Sequence, residues 1–300
     1  MSKVFEALQQ LELDDNALSA EFSAEGNALL QQPVTPRELS AQTHSAQTMT
    51  EPVPQAKAQP EEIPFTPRVL PVRVAQGSPL LPFEPSFANV GEQYRIIRTK
   101  LAQHPLAPRV IAISSVDPGD GKTTTAVNVA TVLALKTETR VLLVDCDLRR
   151  GQIGKLLGLP TSPGLTDVLS GANSLNEAVV QVKQFPSLYV LAGGTLLENP
   201  TEVLDSAGWR VLVTQLRKYF DYVILDTPPI GLIADSELIH EVSDGVILVV
   251  RPDSTTRSRC MSILATMSTK GLLGVILNGV TKAYAGSSNS YYAYSPKAKT

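Results

Sequence analysis

Cysteine, tryptophan and histidine are all scarce in this 300-residue chain, with two, one and three copies. The two cysteines, Cys146 and Cys260, cannot build a disulfide framework and lack the spacing of metal ligands. That scarcity points to the cytosol. Cys146 sits at a strand end, where it reads as a small apolar side chain. His44, His104 and His240 are scattered and form no catalytic arrangement. No apolar run approaches the ~18 residues of a membrane span, and the N-terminus lacks the charged-then-apolar pattern of a secretory leader. Any membrane work is therefore expected to pass through a partner, with the chain itself cytoplasmic and recruited peripherally to the inner face of the membrane. The net charge is only −3, which argues against a nucleic-acid partner. That small total hides an asymmetry. Residues 1–86 hold 11 acidic and 5 basic residues, whereas residues 87–300 hold 18 acidic and 21 basic. The mildly basic C-terminal part suits a phosphate ligand.

What is present divides the chain into four stretches. Val4, Phe5, Leu8 and Leu11 fall at helical spacing, so residues 1–30 are expected to hold a short amphipathic helix, either a docking helix or a loose cap. Eleven of the 22 prolines lie between Pro33 and Pro85, among Gln, Ala, Thr and Glu. Residues 31–86 are therefore expected to be a disordered linker of polyproline character. Residues 87–282 read as the folded domain and 283–300 as a flexible tail. Within the domain, the pattern predicts strands at 109–114, 140–145, 187–192, 221–226, 245–250 and 273–278. Helices are predicted at 122–136, 200–219, 234–242 and 256–270, with short ones between 151 and 180. Nearly continuous apolar strands such as Val141-Leu142-Leu143-Val144 imply a sheet covered on both faces. The expected class is α/β, a mostly parallel sheet with helices on both sides, whose ligands bind beyond the carboxyl ends of the strands.

The chemistry-bearing motifs fall at those ends. Ser115 to Thr125, Ser-Val-Asp-Pro-Gly-Asp-Gly-Lys-Thr-Thr-Thr, joins a strand to a helix. This is a P-loop NTPase phosphate cradle, in which turn amides and the helix N-terminus face the anion and a lysine adds mobile charge. Pro118, Gly119, Asp120, Gly121, Lys122, Thr123 and Thr124 are the expected nucleotide-binding residues, with ATP as ligand and the Thr123 hydroxyl on Mg²⁺. Val116 stands where the usual pattern has its first glycine. The strand at 140–145 runs into Asp145-Cys146-Asp147-Leu148-Arg149-Arg150, two carboxylates one residue apart. One of them is suited to Mg²⁺, directly or through water, and the other to taking a proton from an attacking hydroxyl; the two roles are interchangeable at this point. Strand 221–226 ends in Asp226-Thr227-Pro228-Pro229, and an acid there, downstream of a phosphate loop, is a magnesium-holding residue. Lys122, Asp145, Asp147 and Asp226 are the candidate catalytic residues, and Thr123, Asp145 and Asp226 the candidate metal ligands. Arg149 or Arg150 would stabilise phosphate charge, hold a neighbouring subunit, or simply be solvated.

The order of phosphate loop, Asp-x-Asp-x-Arg and Asp-x-Pro-Pro resembles the bacterial tyrosine kinases of capsular and exopolysaccharide systems. The likeness covers about residues 87–295. It extends to Glu92, Arg95 and Arg98, which match that family's Glu-x-x-Arg-x-x-Arg oligomerisation helix, and to Leu197–Leu204, similar to its Asn-Pro-x-Glu-Leu-Leu segment. Tyr284, Tyr291, Tyr292 and Tyr294 supply the terminal tyrosine cluster, set among Gly, Ser, Ala and Asn. The resemblance implies autophosphorylation of that cluster in trans within a ring-like homo-oligomer. It also implies a membrane-spanning chain-length (co-polymerase) protein as activator, a counteracting tyrosine phosphatase, and a role in polymer assembly and export. Asn278 resembles the adenine-reading asparagine of related P-loop ATPases. The nearest rival is a positioning ATPase of the partition or septum-site type, but those carry a lysine and a glycine where this chain has Asp117 and Pro118, and they lack the tyrosines. A nucleotide-gated, non-catalytic scaffold for polymer length is the third reading.

Overall fold

The computed structural model describes residues 65–75, 78–80, 88–267 and 271–280, all within one compact unit that begins at Glu62. The expected N-terminal helix, most of the proline-rich linker and the four tail tyrosines lie outside the described residues.

Among the described residues, eight strands form one sheet: β1 (Arg68–Leu70), β2 (Val110–Ser115), β3 (Val141–Asp145), β4 (Val179–Val182), β5 (Leu188–Leu191), β6 (Tyr222–Asp226), β7 (Gly245–Val250) and β8 (Leu272–Leu277). Their spatial order is β1-β4-β5-β3-β6-β2-β7-β8. All neighbours run parallel except β4 and β5, so β1 and β4 oppose the other six. Residues of β2, β3 and β7 are buried throughout, as their apolar runs require of strands covered on both sides. Successive side chains alternate between two cores. Ile111, Ile113, Leu143 and Ile224 face α1 (Ala88–Ala102) and α2 (Lys122–Ala134). Val110, Leu142, Val144 and Leu225 face the far side, where Trp209, Leu212 and Leu216 cover them. Each such side chain removed from water stabilises the fold by about 1.5–3 kcal/mol, so the alternation fixes which strand face meets which helix.

The strands follow the expected pattern with two additions. β4 had no alternating signature long enough to stand out. β1 lies inside the stretch expected to be linker, and there the linker's boundary at residue 86 is corrected. Pro67 and Pro71 flank β1, which is tolerated on an edge strand because its outer N–H groups need no partner. The Gln184 side chain then copies a strand, donating to the Val72 carbonyl at 2.9 Å and accepting the Val72 N–H at 3.0 Å. Leu80 is fully buried, and the Asn128 side chain of α2 donates to the Pro79 carbonyl at 3.0 Å. Phe65 sits with Tyr189 and Phe220 around the Arg140 guanidinium, 5.4–5.5 Å from each ring centre.

The remaining helices are α3 (Ile153–Leu157), α4 (Leu165–Leu169), α5 (Leu175–Ala178), α6 (Pro200–Leu204), α7 (Ala207–Tyr219), α8 (Asp235–Glu241) and α9 (Arg257–Thr266). The single helix expected over 200–219 is two. Ser206 interrupts it by accepting the Trp209 N–H at 3.2 Å, and an N-cap starts a new helix.

Candidate active site

The sheet's order brings the motifs together. β2, which feeds the phosphate loop, lies beside β6, and β6 lies beside β3. Parallel register sets Asp226 opposite Ile113 on one side and Asp145 on the other. Two acids 81 positions apart in the chain therefore emerge as direct neighbours at the carboxyl end of the sheet.

The loop itself is shaped by three local choices. Val116, in place of the first glycine, is fully buried against Ala112 and Ile230 and anchors the loop's start. Gly121 has φ +95°, and a Cβ there would collide with the Asn278 side-chain amide, so only glycine fits. No side chain caps α2 at Gly121, which leaves its first N–H groups open towards an anion.

Lys122 lies among the acids. Its Nζ is 2.9 Å from Asp147 Oδ2 and 3.9 Å from Asp226 Oδ1. Asp145 and Asp226 are fully buried and Asp147 nearly so. Asp145 Oδ2 accepts the Ile153 N–H at 2.9 Å, the Thr123 hydroxyl lies against the Asp226 carboxylate, and Asp145 Oδ1 is left without a good partner among the described residues. Burial pushes the Asp226 carboxyl up to about 7, with Lys122 pulling it down and Asp145 raising it further. Burial likewise raises Asp145 to about 6 against the lowering effect of the Ile153 N–H. Buried carboxylates this sparsely bonded, beside a phosphate loop and the Thr123 hydroxyl, are what a divalent cation would satisfy. No group of three or more His, Cys, Asp or Glu side chains among the described residues forms a metal cage by itself. That combination suits Mg²⁺, which takes one or two carboxylates and fills the rest of its shell with water and substrate phosphate.

A cleft of about 290 Å³ opens over this group, lined by Pro118, Gly119 and Gly121 to Thr124 of the loop, by Asp147, Arg149 and Arg150, and by Pro228, Pro229, Leu232 and Ile233. Arg149 is held in place: its Nε is 2.9 Å from Asp235 Oδ2, and its terminal nitrogen donates to Thr201 Oγ1 at 3.1 Å. Arg150 is exposed and reaches the same cleft. Asn278 donates its side-chain N–H to the Asp120 carbonyl at 2.7 Å, which places it against the loop backbone. Asp120 turns its carboxylate away from the cleft lining, to Thr255 and the Asp117 N–H. Glu92, Arg95 and Arg98 lie on α1, away from the cleft. Arg95 pairs with Glu92 at 2.8 Å, while Arg98 donates to the Val132 carbonyl of α2 at 3.3 Å. The sequence reading missed Asp235, Thr201, Thr255 and Arg259. Of these only Thr201, inside the Asn-Pro-x-Glu-Leu-Leu-like segment, carried any signal.

Residues 108–269 match a family described as an AAA domain. The chain is 38% identical over 201 residues to tyrosine-protein kinase YwqD of Bacillus subtilis (strain 168), covering 65% of this chain and 83% of that protein. It is 34% identical over 190 residues to tyrosine-protein kinase CpsD of Streptococcus pneumoniae serotype 4, covering 62% and 83%. Among solved structures, the kinase domain of Escherichia coli tyrosine kinase ETK superposes with a TM-score of 0.63 at 26% identity, covering 72% of this chain and 89% of that one. The chimerical protein CapA2B2 gives 0.64 at 29%, covering 70% and 93%.

Proposed function

The chain belongs to the bacterial tyrosine-protein kinases built on an AAA domain, and from that premise we propose that it moves the γ-phosphoryl group of ATP to tyrosines of its own C-terminal cluster in trans. The observation that supports this best is the convergence of Lys122, Asp145, Asp147 and Asp226 under a phosphate-loop cleft. The loop amides from Gly119 to Thr123 and the Lys122 ammonium hold the β and γ phosphates, and Asn278 borders the nucleotide beside the loop. Thr123, Asp226 and Asp145 would hold Mg²⁺, which when bound offsets the negative charge of those phosphates. The phenol oxygen of Tyr284, Tyr291, Tyr292 or Tyr294 attacks the γ-phosphorus. The bond to the β–γ bridging oxygen breaks and ADP leaves. The phenol proton passes to a carboxylate, Asp147 by preference because it lines the open cleft, with Asp145 the alternative. Most of the rate comes from positioning and from matching charge in a dry site.

Glu92, Arg95 and Arg98 are the proposed self-association motif of a ring-like oligomer. The exposed Glu92–Arg95 pair is available to a neighbour, and Arg98 ties the same helix to α2. Among the described residues no helix is long and apolar enough to cross a membrane. We place the chain in the cytoplasm, recruited through its N-terminal extension to a membrane-spanning polysaccharide chain-length protein, opposed by a tyrosine phosphatase, and acting on capsule or exopolysaccharide assembly and export. A positioning ATPase is disfavoured by Asp117, which replaces that group's lysine and is engaged by Arg259 at 2.7 Å.

Incubation with Mg-ATP followed by a phosphotyrosine blot tests the reading. Signal is expected from the intact chain and is expected to vanish both in Lys122→Met and on truncation after Lys282. ATP hydrolysis without phosphotyrosine would overturn the kinase reading in favour of an ATPase.

A further inference from the structure

The phosphate loop is held from one side of the sheet by groups that, Asn278 apart, no motif identifies. The Asp120 carboxylate is fully buried. It accepts the Asp117 N–H at 2.9 Å, the Thr255 hydroxyl at 3.0 and 3.1 Å to its two oxygens, and the Ser254 hydroxyl at 3.3 Å. Thr255 Oγ1 also lies 3.2 Å from Asp117 Oδ2. On the outer side, Arg259 Nε stands 2.7 Å from Asp117 Oδ1. Asn278 adds its bond to the Asp120 carbonyl at 2.7 Å. These donors come from the β7–α9 connection, the first turn of α9 and the end of β8.

The electrostatics make the arrangement demanding. Two carboxylates three residues apart in a tight turn share one hydroxyl, and like charges so close disfavour each other. A buried carboxylate that loses a donor bears the cost of its lost hydration. The Thr255 hydroxyl between them and the Arg259 guanidinium outside relieve that repulsion, and together they hold Asp117 and Asp120 in a single turn. The same turn carries Gly119 and Gly121, which line the cleft. Gly119 and Gly121 supply the loop's positive φ values, while the Asp117–Asp120 turn that precedes the helix is held by side chains from outside the loop.

We propose that Thr255 and Arg259 are positioning residues for nucleotide binding, bracing the phosphate loop from the β7–β8 side so that its amides converge on the phosphates. The inference rests on the nucleotide reading of the cleft but not on tyrosine as the acceptor.

The test uses the full chain with Mg²⁺ and a fluorescent ADP analogue, alongside thermal melting without nucleotide. Thr255→Val keeps the shape and deletes the donor, and should weaken binding about tenfold, the equivalent of one lost hydrogen bond to a charged group. Thr255→Ser, which restores the hydroxyl, should bind within about twofold of the unaltered chain. Arg259→Gln, on the half-exposed helix face, should weaken binding roughly twofold to fivefold, and less at high salt. Unchanged affinity in both Thr255→Val and Arg259→Gln, with only the melting temperature lowered, would overturn the brace while leaving nucleotide binding intact. Failure of the unaltered chain to bind the analogue would overturn the nucleotide reading and the brace with it.

Discussion

Replacing Asp226 with asparagine should stabilise this protein while abolishing phosphotransfer. Asp226 is fully buried, lies across from Asp145 in the sheet, and has the Thr123 hydroxyl and, 3.9 Å away, the Lys122 ammonium as polar neighbours. Burial moves its carboxyl from 3.8 up to about 7 in the fold. An acid that holds its proton more tightly when folded favours folding fully below its unfolded value of 3.8, and that contribution is lost as pH climbs through about 7. One unit corresponds to about 1.4 kcal/mol, so ionising Asp226 in the metal-free fold costs on the order of 4 kcal/mol by pH 8. That figure is already net of the Lys122 attraction; asparagine removes the charge but buries an amide in its place, so roughly half of that gain should survive. For a domain of this size about 2 kcal/mol raises the melting temperature by roughly 4–8 °C. Melting in chelator should show the variant's advantage growing from pH 5 to pH 8, where Asp145, raised to about 6, is ionised as well. Mg²⁺ with nucleotide should stabilise the unaltered chain and narrow the gap, whereas phosphotyrosine should be absent from the variant throughout. An Asp226→Asn protein that melts no higher than the unaltered chain at pH 8, or whose advantage does not change with pH, would refute the reasoning.

Two further outcomes follow. Gly121→Ala forces a side chain onto φ +95° and into the Asn278 amide, and should reduce nucleotide affinity at least tenfold by opening the loop; titration with the same ADP analogue checks it, and an affinity within twofold would count against the close approach. Deleting residues 1–61 should leave the melting temperature unchanged, whereas deleting 1–85 removes β1, Phe65 beside Arg140 and the buried Leu80, and should lower it by roughly 5–10 °C in calorimetry, since Leu80 alone accounts for about 1.5–3 kcal/mol. Equal melting of the two truncated forms would refute the strand's contribution, so the shorter deletion is the one with which to test membrane recruitment.

The alternation of strand and helix was legible because each strand is a run of β-branched and aliphatic residues and each crossover carries its own turn chemistry. Gly-Asp-Gly-Lys-Thr declared a phosphate cradle by backbone need alone, and Asp145, Asp147 and Asp226 declared themselves as acids closing apolar strands. β1 was not legible, because prolines that forbid a central strand are permitted on an edge, and composition does not reveal which strand is at the edge. Nor was the break at Ser206, where one hydroxyl capping Trp209 outweighs the helical preference of its surroundings.

By itself, then, the sequence determined the element order, the loop and the set of ionisable groups, since these depend on local propensity and on residue type. Only the tertiary structure decided which acids share a site and in what charge state. Adjacency of Asp145 and Asp226 follows from strand order, and their raised pKa values follow from burial, neither of which is a local property. It also decided that Asp117, which stands where positioning ATPases carry a lysine, and Asp120 are held by Thr255, Arg259 and Asn278 from segments more than 130 residues away. Contacts of that range arise from how the sheet brings β7 beside β2 and β8 beside β7, which no stretch of sequence encodes on its own.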